Sequence, residues 1–323
     1  MKFGVFVPQG WRMDLVELPD PVEQWEAMTA VARAADAGPW DSIWLFDHLH
    51  TVPEPVRETV FEAWTATAAL ARDTQRVKLG QMVGCNGYRN PALYAKMAAT
   101  VDVASHGRLY AGLGAGWAED EWKAYGYPWT DLKDRMGSFR ESVELIHRLW
   151  TEDDVVFHGK YHSVDKPFVE PRRKPPLWIG GGGEKVTLKL VAQYADACNF
   201  GTGQVDTIKH KLAVLRTHCN AVGRDYDEIV KSTSINVFPV EAGADPVTAT
   251  AKARGRYSLE EFTEIGAGGG IGLAEVVTAK QLRIHLEQLA EVGIEYVIAY
   301  IPGVAYDHEP MQRFAEDVVP AFS

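Results

Sequence analysis

Ser42-Ile-Trp-Leu-Phe-Asp-His48 is a short apolar run that ends in two ionisable side chains, Asp47 and His48. A run this rich in β-branched and aromatic residues predicts a buried strand. Because the strand is interior, the carboxylate and the imidazole at its carboxyl end lie at the mouth of a core. Active sites of parallel α/β folds collect at that end of the strands. The segment therefore indicates both the fold class and where the chemistry takes place.

Strand-like runs alternate with helix-period segments along the chain. The strand-like runs are Phe3 to Val7, Ile43 to Phe46, Val77 to Val83, Leu109 to Leu113, Leu177 to Ile179, Ala197 to Phe200, Thr233 to Phe238 and Tyr296 to Ile301. The helix-period segments are Pro21 to Ala37, Phe61 to Ala71, Pro91 to Ala104, Gly137 to Trp150, Val186 to Tyr194, Thr207 to Ala221 and Lys280 to Val292. Such alternation implies parallel pairing. Eight strand units in one chain of 323 residues predict a single domain, residues 1–323, folded as a (β/α)8 TIM barrel.

Two segments interrupt the alternation and are predicted as insertions after strands 4 and 7 of the barrel. Residues 151–176 contain a hairpin-like stretch, Val155 to Val164, followed by a proline-rich, basic linker. Residues 240–275 end in the glycine-rich run Gly266-Ala-Gly-Gly-Gly-Ile-Gly272. A long glycine-rich insertion is either a mobile lid over a site or a tolerated surface loop.

The composition excludes several classes of protein. The chain has 33 basic and 44 acidic residues, and its net charge of −11 repels polyanions, so we expect no nucleic-acid partner. No apolar stretch approaches the roughly 20 residues of a membrane span, so we expect no membrane partner. The amino terminus lacks the apolar region of a signal peptide, which predicts a cytoplasmic location. The widely spaced Cys85, Cys198 and Cys219 indicate neither a disulfide framework nor a zinc site.

Asp47 and His48 are candidate catalytic residues because an imidazole can relay a proton near neutral pH and a carboxylate can orient it. A hydrogen-bonded structural pair at a strand end explains the same spacing. Asp47-His48-Leu49-His50 also resembles the alternating ligands of a metal-dependent barrel hydrolase. Because no second cluster with metal-ligand spacing occurs, we expect no metal. His158 and His162 lie in the predicted hairpin and are expected at the surface.

A run of four glycines separates the apolar strand Leu177-Trp-Ile179 from a helix that begins near Glu184. Its members are Gly180, Gly181, Gly182 and Gly183. Glycines let the backbone approach a ligand, and free amides at a helix amino terminus favour a phosphate. The alternative is a loose turn between strand and helix. Arg172, Arg173 and Lys174 precede the run and are either further anion ligands or solvated surface residues.

A second glycine-rich segment, Gly112-Leu-Gly-Ala-Gly116, follows the strand Leu109 to Ala111. It lacks the third glycine of the dinucleotide fingerprint, which excludes a Rossmann fold. Gly114, Ala115 and Gly116 instead suit the edge of a flat ring, with Trp117 as a wall of its site. Close packing of strands explains the same glycines equally well.

The chain resembles the bacterial luciferase-like flavin oxidoreductase superfamily, and within it the branch of coenzyme F420-dependent oxidoreductases. The matching segments span nearly the whole chain: Phe3-Gly-Val-Phe6, Phe46-Asp-His48, Glu62-Ala-Trp64, Tyr88-Arg-Asn-Pro91, Asp102 with Ser105-His-Gly-Arg108, Gly112-Leu-Gly-Ala-Gly-Trp117 with Glu121 and Tyr125-Gly126, and Pro176-Leu-Trp-Ile-Gly-Gly181. The resemblance implies a coenzyme phosphate at the run of four glycines. It implies a ring system at the carboxyl face, touched by Asp47. It also implies a non-proline cis peptide at Met82-Val83 or Val83-Gly84 that backs the ring, and we expect the neighbouring Asn86 to contact the coenzyme.

The implied activity is hydride transfer between deazaflavin C5 and a small organic substrate, with His48 as proton partner and Asp47 as an anchor of the ring or of the histidine. The first alternative is an FMN-dependent luciferase-like monooxygenase, and the second, which the sequence favours less, is the metal-dependent barrel hydrolase. The sugar-phosphate dehydrogenases of this branch have an acidic residue where this chain has Trp117, so their substrate and proton donor do not transfer. The resemblance also implies a homodimer.

Overall fold

A computed structural model describes residues 1–265 and 274–322 of the chain. Its strands are β1 Lys2–Phe6, β2 Ser42–Leu45, β3 Lys78–Gln81, β4 Gly84–Cys85, β5 Leu109–Gly114, β6 Val156–His158, β7 Ser163–Asp165, β8 Leu177–Gly180, β9 Ala197–Phe200, β10 Val230–Val240, β11 Glu275–Thr278 and β12 Tyr296–Tyr300. Its helices are α1 Pro21–Ala37, α2 Ala63–Asp73, α3 Pro91–Ala104, α4 Glu119–Ala124, α5 Leu132–Thr151, α6 Thr187–Tyr194, α7 Val205–Val222, α8 Pro246–Ala249, α9 Ala251–Arg254, α10 Leu259–Ile265, α11 Ala279–Glu291 and α12 Glu309–Asp317.

The strands form a closed parallel barrel in the order β1, β2, β3, β5, β8, β9, β10 and β12, with β12 pairing back onto β1. The register sets Val5 of β1 beside Ile43 of β2 and Ala299 of β12. Helices follow the barrel strands and pack against the outside of the sheet. The predicted (β/α)8 TIM barrel is confirmed.

The first four residues of the opening sequence run form β2, Ser42–Leu45, and all four are buried. Inside the barrel, the Trp44 ring lies 4.9 Å from the Trp178 ring and 5.8 Å from the Tyr110 ring, measured between centroids. The hydroxyl of Tyr296 contacts Ser42 at 2.6 Å and donates to Asp41 at 2.7 Å. Tyr296, Tyr110 and Trp178 are the first or second residues of their strands, and the Trp44 ring packs against the last two. They therefore fill the amino-terminal half of the barrel, and space for a ligand is left at the carboxyl end.

The starts of α1 and α5 follow from capping side chains. Asp20 accepts from the Val22 amide at 2.6 Å and precedes Pro21, the first residue of α1. Asp131 caps α5 through the Asp134 amide at 2.8 Å, so this helix begins at Leu132 and not at the predicted Gly137. A carboxylate at the N-cap satisfies an otherwise unpaired amide, and sequence periodicity does not report it.

The hairpin predicted within residues 151–176 is present as the antiparallel pair β6 and β7, with Phe157 beside Val164. The prediction for His162 is wrong: its ring is half-buried and contacts Ser138 and Ser142 at 3.0 and 2.9 Å. His158 is exposed as predicted. The hydroxyls of Ser138 and Ser142 on α5 hold the His162 ring. These serines are 20 or more positions away in sequence, so the sequence pattern did not predict the contact.

The segment after β10 contains α8, α9 and α10 and then β11, which pairs in parallel with the extended end of β10. The glycine-rich run Gly266 to Gly272 lies outside the described residues. The boundaries of the two insertions, and the assignment of the chain to one domain, stay predictions. Among the described residues, no helix has the length and apolar character needed to cross a membrane.

Candidate active site

A cavity of about 300 Å³ opens at the carboxyl ends of the barrel strands. The predicted residues that line it are Asp47, His48, Met82, Val83, Gly114, Ala115, Gly116, Trp117, Gly180 and Gly181. Further lining residues, which the sequence analysis did not single out, include Phe6, Trp11, Phe46, Cys85, Tyr88, Thr187, Asn199 and Ser234. The volume is at the lower end of the range for small-molecule sites.

The floor of the cavity is a bulge that follows β3. The peptide bond between Met82 and Val83 is cis, which confirms the prediction made from the family resemblance. A Cβ atom added at Gly114 would lie 2.4 Å from a methyl carbon of Val83, and one added at Gly180 would lie 2.6 Å from the other. Glycine at both positions therefore makes room for the Val83 side chain between β5 and β8.

Asp47 is buried and does not bond its sequence neighbour His48. Its two carboxylate oxygens accept from the Arg89 guanidinium at 2.5 and 3.0 Å, and one also accepts from the Cys85 amide at 2.7 Å. Arg89 also donates to Glu62 at 2.5 Å. Burial alone would lower the pKa of Arg89, but the charges and hydrogen bonds of Asp47 and Glu62 raise it. Asp47 is thus a fixed carboxylate held by a cation that always carries its charge.

His48 faces the cavity with one ring nitrogen bound. Its Nδ1 lies 2.9 Å from Oε2 of Glu121. The Trp11 ring stacks on the imidazole, with centroids 4.2 Å apart and planes 4° apart, and the Trp117 ring meets it edge-on at 5.3 Å. Because Nδ1 is engaged by Glu121, Nε2 is the atom that can exchange a proton with a ligand.

Glu121, on α4, accepts hydrogen bonds from residues of two loops. Its carboxylate accepts from the backbone amides of Leu49 at 3.0 Å and His50 at 2.8 Å, and from the Tyr88 hydroxyl at 2.5 Å. Burial alone would raise its pKa, but the hydrogen bond and charge of His48, with the Tyr88 and amide hydrogen bonds, hold the pKa below its ordinary value. Glu121 occurs in the motif that carries the family resemblance, but its link to His48 spans 73 positions of sequence. Spacing alone does not reveal such a contact.

Only two residues of the run of four glycines line the cavity, and the other two lie in the turn outside it. Gly180 and Gly181 line the cavity, and Gly181 has a φ of +113°, which favours glycine. Gly182 and Gly183 lie outside the lining. Thr187, the first residue of α6, also lines the cavity; a Cβ added at Gly181 would lie 3.7 Å from its methyl carbon, and one added at Gly183 would lie 2.8 Å from its hydroxyl oxygen. A helix start beside open glycine backbone suits an anionic group.

The basic triplet before β8 does not reach this turn. Arg173 donates to Asp102 at 2.7 Å, and Arg172 pairs with Asp153 at 2.5 Å. These contacts lie at the amino-terminal end of β8, opposite the cavity. The suggestion that the triplet supplies further anion ligands at the glycine run is therefore wrong, because the length of a strand separates them.

Besides Gly182 and Gly183, two further predicted coenzyme ligands lie outside the cavity lining. Gly84 pairs with Leu113 as part of β4, and Asn86 donates to Ser138 at 3.3 Å. Coenzyme contacts for them and for the remaining predicted ligands stay predictions. Among the described residues, no group of three or more His, Cys, Asp and Glu side chains is arranged to hold a metal ion.

A buried charged pair lies behind the Trp11 wall. The Arg12 guanidinium sits over the Tyr300 ring at 4.3 Å and the Phe46 ring at 5.0 Å, and burial lowers its pKa to about 10. Asp14 accepts from the Gly10 amide at 2.7 Å and from the Tyr300 hydroxyl at 3.3 Å. Burial raises the pKa of Asp14 to about 6, although these hydrogen bonds and Arg12 oppose the rise.

The fold and the cavity together define a (β/α)8-barrel protein with a small-molecule site at the carboxyl ends of its strands. The model of the luciferase-like monooxygenase family matches residues 1–281 of the chain. The protein belongs to this family, as the sequence resemblance indicates.

Relatives of this chain use more than one coenzyme. An F420-dependent glucose-6-phosphate dehydrogenase of Amycolatopsis mediterranei is 37% identical over 315 residues, which cover 89% of this chain and 91% of the relative. An FMNH2-dependent dimethylsulfone monooxygenase of Pseudomonas putida is 23% identical over 290 residues, covering 80% of this chain and 78% of the relative. The solved structure of an F420-dependent secondary alcohol dehydrogenase is 21% identical with a TM-score of 0.76, and the match covers 100% of this chain and 99% of that one. The structural match supports the fold.

Glu121→Ala is expected to lower the free energy of unfolding by about 3 kcal/mol, because it strands four hydrogen-bond donors at a buried position. Urea denaturation followed by circular dichroism measures this. The matched control is Glu119→Ala on the same helix, which removes only the exposed pair with Lys123 and is expected to cost less than about 1 kcal/mol. Equal effects of the two variants would show that Glu121 does not hold the loops.

Asp14 is expected to make the protein less stable as the pH rises from about 4 to above 6. Its pKa is raised from the ordinary 3.8 to about 6 in the folded state, so the folded protein binds the proton more tightly. The stabilisation is complete below the unfolded pKa and is lost as the pH passes the folded one, a change of about 3 kcal/mol. Chemical denaturation of the wild type and Asp14→Asn across this range measures it. A stability difference that is independent of pH would contradict the prediction.

Proposed function

We propose that this protein is an F420-dependent oxidoreductase that transfers a hydride between deazaflavin C5 and a small organic substrate. The observation that carries the proposal is the His48 imidazole, held by Glu121 on the wall of a cavity whose floor is the Val83 bulge. The Amycolatopsis dehydrogenase, named for F420, supports the choice of coenzyme because it matches most of the chain at 37% identity.

The residues present fit a flat ring with a phosphate-bearing side chain. Gly114 and Gly180 have no Cβ, so backbone and the Val83 side chain form a flat surface at the cavity floor. Gly181 and Thr187 lie at the edge of the cavity; the Gly181 amide donates to the Asn199 carbonyl at 2.9 Å, so an anionic group there would meet the turn that follows Gly181 and the start of α6. Val83 and the glycines of β5 would back the ring, and Asp47 would border it.

When bound, the deazaflavin supplies or accepts the hydride at C5. In the direction of reduction, protonated His48 Nε2 would give its proton to the oxygen of a substrate carbonyl that accepts the hydride, so that the product would be an alcohol. In the opposite direction it takes the hydroxyl proton. Glu121 is anionic at neutral pH because its pKa is held low, and it stabilises the imidazolium. Stacking of the Trp11 ring on the His48 imidazole fixes the plane of the imidazole.

The FMN-dependent monooxygenase is the second candidate, and the Pseudomonas relative supports it. The cytoplasmic location and the homodimer stay predictions, as do the catalytic roles of His48 and Asp47.

Binding of the two coenzymes distinguishes the candidates. Purified protein is expected to quench the fluorescence of F420 on titration, with a Kd at least about tenfold below that for FMN. Isothermal titration calorimetry with oxidised and reduced forms of both coenzymes provides an independent measure. Tight FMN binding without F420 binding would replace the proposal by the monooxygenase.

His48→Asn separates proton transfer from positioning, since the asparagine amide can still donate to Glu121 but cannot relay a proton. Turnover is expected to fall about 100-fold or more, while the F420 Kd changes little. The assay uses whichever of a ketone, a secondary alcohol and glucose 6-phosphate supports turnover by the wild type. Wild-type turnover in this variant would refute the proton role of His48.

A further inference from the structure

We infer that the substrate is a neutral, flat and largely apolar molecule with one carbonyl or hydroxyl group, and that Trp117 forms the wall against which it lies. This inference rests on the proposed function and specifies its substrate. It also separates this chain from the relatives named for glucose 6-phosphate, although their sequences match most of its length.

The first argument is the charge of the cavity wall. No described residue in the lining is a lysine or an arginine. Residues 266–273 are Gly-Ala-Gly-Gly-Gly-Ile-Gly-Leu in sequence and can supply no cation either. A phosphate dianion taken into this cavity would lose water without gaining a charged partner, and that cost is large. The chemistry of the wall therefore opposes a sugar phosphate.

Cations next to the site are already engaged or lie elsewhere. Arg89 is held by the two carboxylates of Asp47 and Glu62. Lys123 on α4 pairs with Glu119 at 2.6 Å. Arg57, in the loop after β2, is exposed and lies outside the lining. None of these three therefore provides an anion site on the cavity wall.

The run of four glycines, Gly180 to Gly183, does not contradict this argument, because the anion that it would bind lies at the protein surface. Gly181 and Gly183 are exposed, so a coenzyme phosphate there keeps part of its hydration, and the Lys211 side chain, paired with Glu184, lies beside Gly182. The wall around His48 is different, since Trp11 and Phe46 are buried aromatic residues. One cavity thus has an anion-tolerant edge and an apolar side.

The second argument is the aromatic character of the mouth. Trp117 is 54% exposed although it meets the His48 ring at 5.3 Å, and Tyr125 is also 54% exposed where it packs against His50 at 5.6 Å. Of the two, Trp117 belongs to the cavity lining, and a large aromatic side chain exposed at a cavity marks a surface that binds apolar or flat ligands. A flat substrate stacked on Trp117 would present one polar group to His48 Nε2.

The experiment measures substrate binding apart from turnover. Protein loaded with F420 is dialysed to equilibrium against 2-acetylnaphthalene, a flat neutral ketone, and separately against glucose 6-phosphate. The ketone is expected to bind at least about tenfold more tightly than the sugar phosphate. Trp117→Ala is expected to weaken ketone binding about tenfold or more, and Trp117→Phe, which keeps an aromatic face, by less than about threefold.

Phe168→Ala is the matched control, because Phe168 is an 86% exposed aromatic residue in the linker before β8, away from the cavity. It is expected to leave ketone binding unchanged. Glucose 6-phosphate binding equal to or tighter than ketone binding, or ketone binding that Trp117→Ala does not weaken, would overturn the inference. F420 affinity is measured for every protein: its absence overturns the proposed function, and dialysis of the coenzyme-free protein then still tests the substrate class.

Discussion

The carboxylate of Glu121 joins three parts of the chain that come together at the carboxyl end of the barrel. It fixes the orientation of the His48 ring, accepts the two amides that follow it and binds the Tyr88 hydroxyl. Glu121 is buried and its pKa is held below the ordinary value, so its carboxylate stays negatively charged where water is largely excluded. Each of these donors therefore gains a charge-assisted hydrogen bond. The loop after β2, the loop after β4 and helix α4 are held in one arrangement as a result.

A second carboxylate network lies beside the first and is separate from it. Asp47 and His48 are adjacent in sequence, yet Asp47 binds Arg89 and His48 binds Glu121. Successive side chains of an extended segment point in opposite directions, which explains why neighbours serve different networks. The result is a cavity bordered by two carboxylates, Asp47 bound to Arg89 and Glu121 bound to the His48 ring, with no lysine or arginine in the described lining. This balance suits a neutral substrate and a protonatable imidazole.

The floor of the site forms because glycines, which have no side chain, occupy several positions around Val83. Gly114 and Gly180 make space for Val83, and Gly112 lies so close to the Gln81 carbonyl that an added Cβ would stand 1.7 Å from its oxygen. Aromatic residues such as Trp44 and Trp178 fill the opposite half of the barrel. Large side chains at one end and glycines at the other thus decide where the cavity forms.

Local patterns in the sequence predicted the barrel and the end of it that carries the site. The run Ser42 to His48 and the alternation around it depend on hydrophobic periodicity, which any strand or helix shows in its own residues. The family resemblance predicted a cis peptide at Met82-Val83 or Val83-Gly84, because the motifs on either side are present in this chain, and the structure has it at Met82-Val83. The partners of the predicted residues were decided by the tertiary structure alone. Glu121 for His48 and Arg89 for Asp47 are brought together by closure of the barrel, and contacts between distant loops leave no periodic signal in the sequence.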